Sequence, residues 1–350
     1  MLRHFTDVRI WLLALACLAL QGCYVTQAAR GQLEIVNARE PIAGMLESPA
    51  TPAELKKRLE TVREAREFAS RELALPNNKS YTSYADLKRE YVVWNVVASP
   101  EFSVEPREWC FPIVGCVAYR GYFKEAKARS FAEKLQAEGF DTVIEGVPAY
   151  STLGKFDDPI LSTMLGYGDD ELTSIIFHEL SHQVIYIADD SPFNEAFAVT
   201  VEREGLSRWL TAHGRAADLT RYLKRRERQE AAMRIIKRHR EQLATVYGSG
   251  AAPEVMRERK RKVFADLVTG LRALDAEYGV RSALATELEA APNNARLASL
   301  ATYYDCVPGF ERVLSEQQHD LPRFYDAVRA LAKLPRETRH AQLCERNAAP

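Results

Sequence analysis

The chain has 350 residues, 47% of them hydrophobic and 27% charged, with a formal net charge of −1. This is ordinary globular composition, with room for one large domain or two modest ones. The near-neutral balance argues against a nucleic-acid partner, and no fixed-period repeat or long low-complexity tract is present.

Residues 1–22 read as a signal peptide. "MLRHFTDVR" is short and net basic, and "IWLLALACLAL" is too short an apolar run to span a bilayer as a mature helix. "LQGC", Leu20 to Cys23, resembles a bacterial lipobox, whose cysteine is acylated and becomes the new N-terminus. An ordinary signal peptide with an incidental cysteine, or an uncleaved anchor, is the alternative. Acylation contributes roughly 0.8 kcal/mol per buried CH₂. No Asp follows Cys23, so the expected location is the outer membrane, facing the periplasm.

That location makes the cysteines readable. Of six, Cys17 falls in the signal and Cys23 takes the lipid, leaving Cys110, Cys116, Cys306 and Cys344. In an oxidising compartment an even remainder suggests disulfides. Cys110–Cys116 would close "CFPIVGC", and Cys306–Cys344 would then tie down the C-terminal segment; free buried thiols are the alternative. No CxxC spacing exists, so these cysteines are not expected to hold metal.

In chain order, "YVTQAARGQLEIVNAREPIAGMLES" reads as a helix broken at Pro41. "TPAELKKRLETVREAREFASREL" follows, with Thr51 as cap, Pro52 in the first helical position, and Leu55, Leu59, Val62 and Ala69 at helical spacing. "PNNKS" ends it. Tyr91 to Ser99 is β-branched and aromatic and predicts a strand, as does "FPIVGCVAYRGYF", with one or two more. "EAKARSFAEKLQAEGF" predicts a helix from Glu125 to Glu138 closed by Gly139, and "DTVIEGVPAYSTL" returns to strand before the turn "GKFDDP". From Asp169 the chain is helical almost to the end. "DDELTSIIFHELSHQVIYI" reads as one helix with acidic residues in its first turn. "SPFNEAFAVTVEREGLSRWLTAHG" is the next, with Ser191 as N-cap and Pro192 in the first position. Two long polar helices then suggest a helical hairpin, and their basic clusters, interleaved with Glu, read as solvated faces. The expected fold class is α+β, mostly helical, with a small, largely antiparallel sheet beside the metal helices.

"HELSH" carries the chemistry. His178 and His182 stand at i and i+4, so on a helix they share a face and can occupy two adjacent corners of a zinc tetrahedron. Glu179 can reach a water there without ligating. The apolar flanks "TSIIF" and "VIYI" suit a buried helix, and the chain has only seven His. Two core histidines at a chance spacing are the bland alternative. The third ligand has two candidates, Glu195 and Glu202, thirteen and twenty residues after His182 and seven apart on one helix.

"HELSHQ…FNEAFA" resembles the gluzincin pattern of aminopeptidase-N-like enzymes. The resemblance implies His178, His182 and Glu195 as ligands and Glu179 as general base. The gap between His182 and Glu195 is shorter here than in those enzymes, and their Gly-Ala-Met-Glu-Asn anchor for a free α-amine is missing. Glu202, at thermolysin-like spacing, is the other ligand candidate or a salt-bridging neighbour. The lipobox, "GQLEI", "YRGYF", "AYSTLGKFDDPIL", "HELSHQ", "FNEAFA" and "YYDCVPGFE" together resemble a bacterial family named for zinc aminopeptidase activity, over nearly the whole mature chain.

That resemblance implies Zn²⁺, a peptide substrate, and a membrane reached only through the N-terminal lipid. A gluzincin also needs a donor for the oxyanion. Tyr303 and Tyr304 are candidates, with Tyr150 a further option; packing roles are the alternative. Tyr150, Ser151 and Thr152 precede the zinc helix where an extended substrate would pair by strand addition. Glu145, Asp157 and Asp158 are candidates to grip a substrate amine. An endopeptidase, a non-catalytic zinc-binding lipoprotein scaffold, and a chance HExxH in a helical adaptor are the competing readings. The expected organisation is a signal at 1–22, a helical segment at 23–90, a metallopeptidase core at 91–210, and a helical region at 211–350 packed with it as one unit.

Overall fold

The computed structural model describes Tyr24 and residues 26–111, 115–149 and 151–345. The expected signal peptide at 1–22, Cys23 and Tyr150 lie outside the described residues. No helix among those residues is long and apolar enough to cross a membrane.

A helix over 26–37 (α1) leads into strand β1, Arg39–Pro41. Helices α2, Ile42–Glu47, and α3, Ala53–Glu72, follow. The cap of α3 falls on Pro52 rather than Thr51, because Pro52 already has an extended backbone. β1 pairs antiparallel with β2, Ser83–Ala85, which pairs in parallel with β8, Ile160–Leu161. The sequence reading missed this sheet, and the segment at 23–90 is therefore not purely helical.

The second sheet has the order β6-β3-β7: β3 is Val93–Pro100, β6 Arg120–Tyr122 and β7 Phe140–Val147, all antiparallel. Helix α4, Glu125–Ala137, packs Ala128, Ala132 and Leu135 on Val96, Ala98 and Tyr122 of one face. β4, Trp109–Phe111, and β5, Gly115–Val117, form a separate hairpin crosslinked by Cys110–Cys116. One expected sheet is thus three small ones, all but one of their strand pairs antiparallel.

The two helices that carry His178, His182 and Glu195 lie at the centre of the largest core. Helix α5, Asp169–Ser181, and helix α6, Ser191–Ala212, bury Leu172, Ile176, Phe177 and Leu180 against Phe193, Phe197, Leu206 and Trp209. Gly205 permits the close approach: a Cβ there would stand 2.7 Å from a Phe177 ring carbon. The same core takes Leu59, Val62 and Phe68 from α3, and Phe310, Phe324 and Tyr325 from the C-terminal helices. It thereby spans the three segments distinguished in the sequence.

Two element boundaries differ from the sequence reading. Helix α5 ends at Ser181, with His182 as its C-cap, and "QVIYI" is non-helical. Its β-branched residues resist helix, and the Ser181 hydroxyl turns back onto the His178 carbonyl at 2.6 Å. The N-cap of α6 is Asp190, not Ser191, because the Asp190 carboxylate accepts from the Phe193 amide at 3.3 Å.

Helices α7, Ala216–Tyr247, and α8, Pro253–Tyr278, form the expected hairpin around Ile236, Leu243, Phe264 and Leu267. Helices α9 to α12 follow at Ala283–Ala290, Asn294–Tyr304, Val307–Glu316 and Leu321–Ala332. Short α13, Arg336–His340, and the turn Ala341–Glu345 bring Cys344 to Cys306, which it crosslinks. Arg339 Nε then sits 2.5 Å, and His340 Nε2 2.7 Å, from the wholly buried carboxylate of Asp190.

The Cys306–Cys344 link closes a separation of 38 residues. Replacing both cysteines by Ser is expected to cost about 3–4 kcal/mol in denaturant unfolding, from the regained freedom of that loop in the unfolded chain.

Candidate metal centre

Among the described residues, His178, His182 and Glu195 form the group of His, Cys, Asp or Glu side chains that could hold a metal ion, with one ligand atom from each within 4.8 Å of the others. One turn of α5 separates the two imidazoles, whose centroids lie 4.9 Å apart with planes at 82°. Both Nε2 atoms face Glu195 Oε2 from α6, at 3.3 Å for His178 and 3.8 Å for His182. Two imidazole nitrogens and one carboxylate oxygen suit zinc, and three protein donors leave a corner open.

Glu202 takes a different place. Its Oε2 lies 3.1 Å from Nδ1 of His178, on the side of the ring away from Glu195. It lies outside the group that could hold a metal and is placed to aim the His178 ring from its other nitrogen. The seven-residue spacing put it on the correct helix face but could not say which ring nitrogen it would meet. The Nδ1 of His182 is buried without a partner among the described residues.

The electrostatics match a cation site. Burial raises the pKa of Glu195, but the bond to His178 and the charges of both histidines outweigh it and hold the carboxyl below its usual range. Burial drives His182 down to about 4, against the pull of Glu195, so it is a neutral donor. Burial would also lower His178, yet Glu195 and Glu202 together hold it well above its usual value. A proton on His178 does here, between two carboxylates, what a bound cation would do.

Glu179 lies beside the ligands. Burial raises its carboxyl to about 7; the His178 charge opposes this, and the charges of Glu195, Asp158 and Glu202 add to it. No described group donates a hydrogen bond to it.

The short connection from α5 to α6 is closed by its own side chains. Asn194, of "FNEAFA", donates to the Ile187 carbonyl at 2.7 Å and accepts from the Ile187 amide at 2.8 Å. Asp189 adopts a left-handed conformation (φ 66°) and accepts from the Cys116 amide at 2.6 Å. Gly115, also left-handed (φ 76°), is needed because a Cβ would come within 2.4 Å of Asp189 Oδ1. The crosslinked hairpin thus props the loop between the ligands.

Four tyrosines surround the centre. Tyr303 senses it directly: the Glu195 charge, then burial, then Tyr119, Glu145 and Glu179 raise its pKa well above the usual value. Tyr304 turns away and accepts from Gln229 Nε2 at 2.8 Å. Tyr119 and Tyr186, which the sequence did not single out, are raised by burial and then by the Glu195 charge. The Tyr186 ring meets that of His182 edge-on at 6.5 Å. "YRGYF" and "VIYI" were noticed only as a resemblance and as an apolar flank, so the inward direction of these tyrosines had no signal.

Of the expected substrate grips, the carboxylates of Glu145 and Asp158 are engaged elsewhere. Glu145 accepts from Arg296 at 2.6 Å and from Ser299 at 2.8 Å. Asp158 is buried and accepts from the Thr152 amide and hydroxyl, both at 2.8 Å. Ser151 accepts from the Leu153 amide at 3.1 Å, so Ser151 and Thr152 shape their own loop. Asp157 is exposed, and its carbonyl accepts from Arg39 at 2.8 Å.

A family model described as "Putative aminopeptidase" matches residues 23–343. The chain belongs to this family. No curated protein and no solved structure matches it significantly. The matched span contains both metal helices, the crosslinked hairpin and the C-terminal clamp on Asp190.

Glu202→Gln is expected to lower zinc affinity about 10- to 100-fold by competition with a chelator, with His178→Ala abolishing binding. The metal-free protein also carries a pH signature. The folded-state pKa of Glu179, about 7, lies above that of an unfolded glutamate. Its contribution is therefore fully present below about pH 4.3 and is lost as pH rises to about 7. The stability difference between wild type and Glu179→Gln should change with pH across that window and be flat outside it.

Proposed function

We propose that the chain hydrolyses peptide bonds as a zinc-dependent aminopeptidase, tethered to a bacterial envelope membrane through acylated Cys23 and facing the periplasm. The observation that carries this is the convergence of His178, His182 and an ionised Glu195 within 4.8 Å, with Glu179, next in sequence to His178, half-buried and raised in pKa. Family membership supports the peptidase class. A purely structural zinc site has no use for Glu179, which disfavours a scaffold.

His178, His182 and Glu195 would hold the ion. When bound, zinc supplies a Lewis acid that makes a water more acidic and draws charge from a carbonyl. Glu179 accepts a proton from the attacking water and delivers it to the leaving amine nitrogen. Tyr303 donates its hydroxyl hydrogen to the oxyanion that forms at the scissile carbonyl. Glu202 holds His178 with Nε2 toward the ion, and Tyr304 supports the fold through Gln229.

An endopeptidase is the second reading. It is favoured by the engagement of Glu145 with Arg296 and of Asp158 with Thr152, which leaves neither free for a substrate amine. Peptides with free and acetylated N-termini separate the two: equal cleavage of both would overturn the aminopeptidase reading. Glu179→Gln should keep its zinc and lose about 10²- to 10⁴-fold in kcat. Undiminished turnover would remove Glu179 as base, and purified protein that binds no zinc would end the hydrolase reading.

A further inference from the structure

The connection from Gln183 to Asp190 joins the helices that carry His178, His182 and Glu195, and it is held at three places. Asn194 bonds both backbone groups of Ile187 inside the loop. Arg339 and His340 meet the carboxylate of Asp190. The third hold comes from the crosslinked hairpin: the Cys116 amide of β5 donates to the Asp189 carboxylate at 2.6 Å. Asp189 has a φ of 66°, an uncommon conformation for a residue with a side chain, and this contact braces it. The approach is close, since a Cβ on Gly115 would also stand 2.6 Å from the Asp189 amide nitrogen.

The third hold depends on a disulfide. β4 and β5 have three residues each and, among the described residues, pair only with each other. A two-stranded ribbon of that size is marginal at best on its own. Its strands are not held equally. In β4 the Trp109 ring meets Phe131 of α4 at 6.2 Å, and Phe111 stacks on Tyr24 at 5.2 Å. β5 carries the donor to Asp189, and the Cys110–Cys116 bond fastens it to the packed strand.

The two crosslinks of the chain also differ in access. Cys110 is exposed and Cys116 half-buried, whereas Cys306 is only 2% exposed. Thiol–disulfide exchange requires a thiolate to reach a sulfur, so the hairpin is the crosslink open to attack.

We propose that Cys110–Cys116 is a redox-sensitive catch on the metal centre. Oxidised, it holds β5 against Asp189 and keeps Glu195 aimed at the two imidazoles; opened, it lowers the affinity for zinc. This role rests on the metal reading above. The reductant is a dithiol. One of its thiolates attacks the Cys110 sulfur and bonds to it, and the Cys110–Cys116 bond breaks with its electron pair on the Cys116 sulfur, which takes up a proton. The second thiolate of the dithiol attacks its own partner sulfur in the mixed disulfide and releases Cys110, which also takes up a proton. Two electrons have passed to the crosslink, and the dithiol leaves as a disulfide.

The full chain, titrated with dithiothreitol, tests this. Alkylation with a mass tag reports which crosslink has opened, and chelator competition reports zinc affinity. Cys110–Cys116 opens first, zinc affinity falls about tenfold, and reoxidation restores it. In metal-free protein, hydrogen exchange at the Ile187 amide quickens with the same opening. Cys110→Ser with Cys116→Ser shows the lowered affinity without dithiol. Asp189→Gly keeps the left-handed backbone but removes the acceptor, so its affinity no longer responds to dithiol. An affinity within about twofold after the hairpin opens overturns the catch. So does a hairpin crosslink that outlasts Cys306–Cys344, or a full response in Asp189→Gly. Oxidised wild type that binds no zinc overturns the metal reading and the catch together, a result distinct from the others.

Discussion

The centre depends on one geometric constraint: two imidazoles from one helix and a carboxylate from the next must converge across the brief connection from Gln183 to Asp190. Few backbone paths reverse direction so quickly between packed helices. This chain ends α5 early at Ser181, accepts a left-handed Asp189, and begins α6 on the Asp190 cap. Asn194 pins the turn by both hydrogen bonds to Ile187. The asparagine beside the ligand thus acts by fixing the loop that presents Glu195. Outside this frame, the Cys110–Cys116 hairpin props Asp189, and Arg339 and His340 hold Asp190 from the far end of the chain.

Charge explains how several half-buried acidic side chains share a small volume. Glu195 and Glu202 grip one imidazole from its two nitrogens, so the burial of each is offset by the same partner. A buried carboxylate without such compensation would neutralise itself. Glu179 shows this alternative: with only the His178 charge to favour ionisation, its carboxyl rises to about 7. Environment alone thus separates three glutamates of the same pair of helices: Glu195 held ionised between two imidazoles, Glu202 set against the far nitrogen of His178, and Glu179 raised in pKa.

The sequence made the centre legible because its information is local. The i, i+4 histidines and the neighbouring glutamate need only a helix, and Glu195 needs only the next one. What lay beyond reach was set by long-range contact. β1, β2 and β8 are two- or three-residue strands whose pairing joins positions far apart in the chain, so no periodicity could reveal them. The cap on α6 went to Asp190 rather than the equally suitable Ser191 because its carboxylate meets the Phe193 amide and, from the far end of the chain, Arg339 and His340. Tyr303 and Tyr304 are adjacent and alike; only the packing of α10 turns one toward Glu195 and the other to Gln229.

The clamp on Asp190 also sets an order of assembly. Asp190 has no exposed surface, and its charge is met by side chains at positions 339 and 340. A chain still emerging from the ribosome can form α5 and α6 long before those residues exist. Until they dock, the first turn of α6 carries a carboxylate that must remain hydrated, and the apolar seam around Phe193 and Phe310 stays open. The cap of α6, three positions before Phe193 and five before Glu195, is therefore neutralised only when the last described segment is in place. A protein cut short by a dozen residues would keep His178, His182 and Glu195 but leave the charge of Asp190 without the two partners it meets from the far end of the chain.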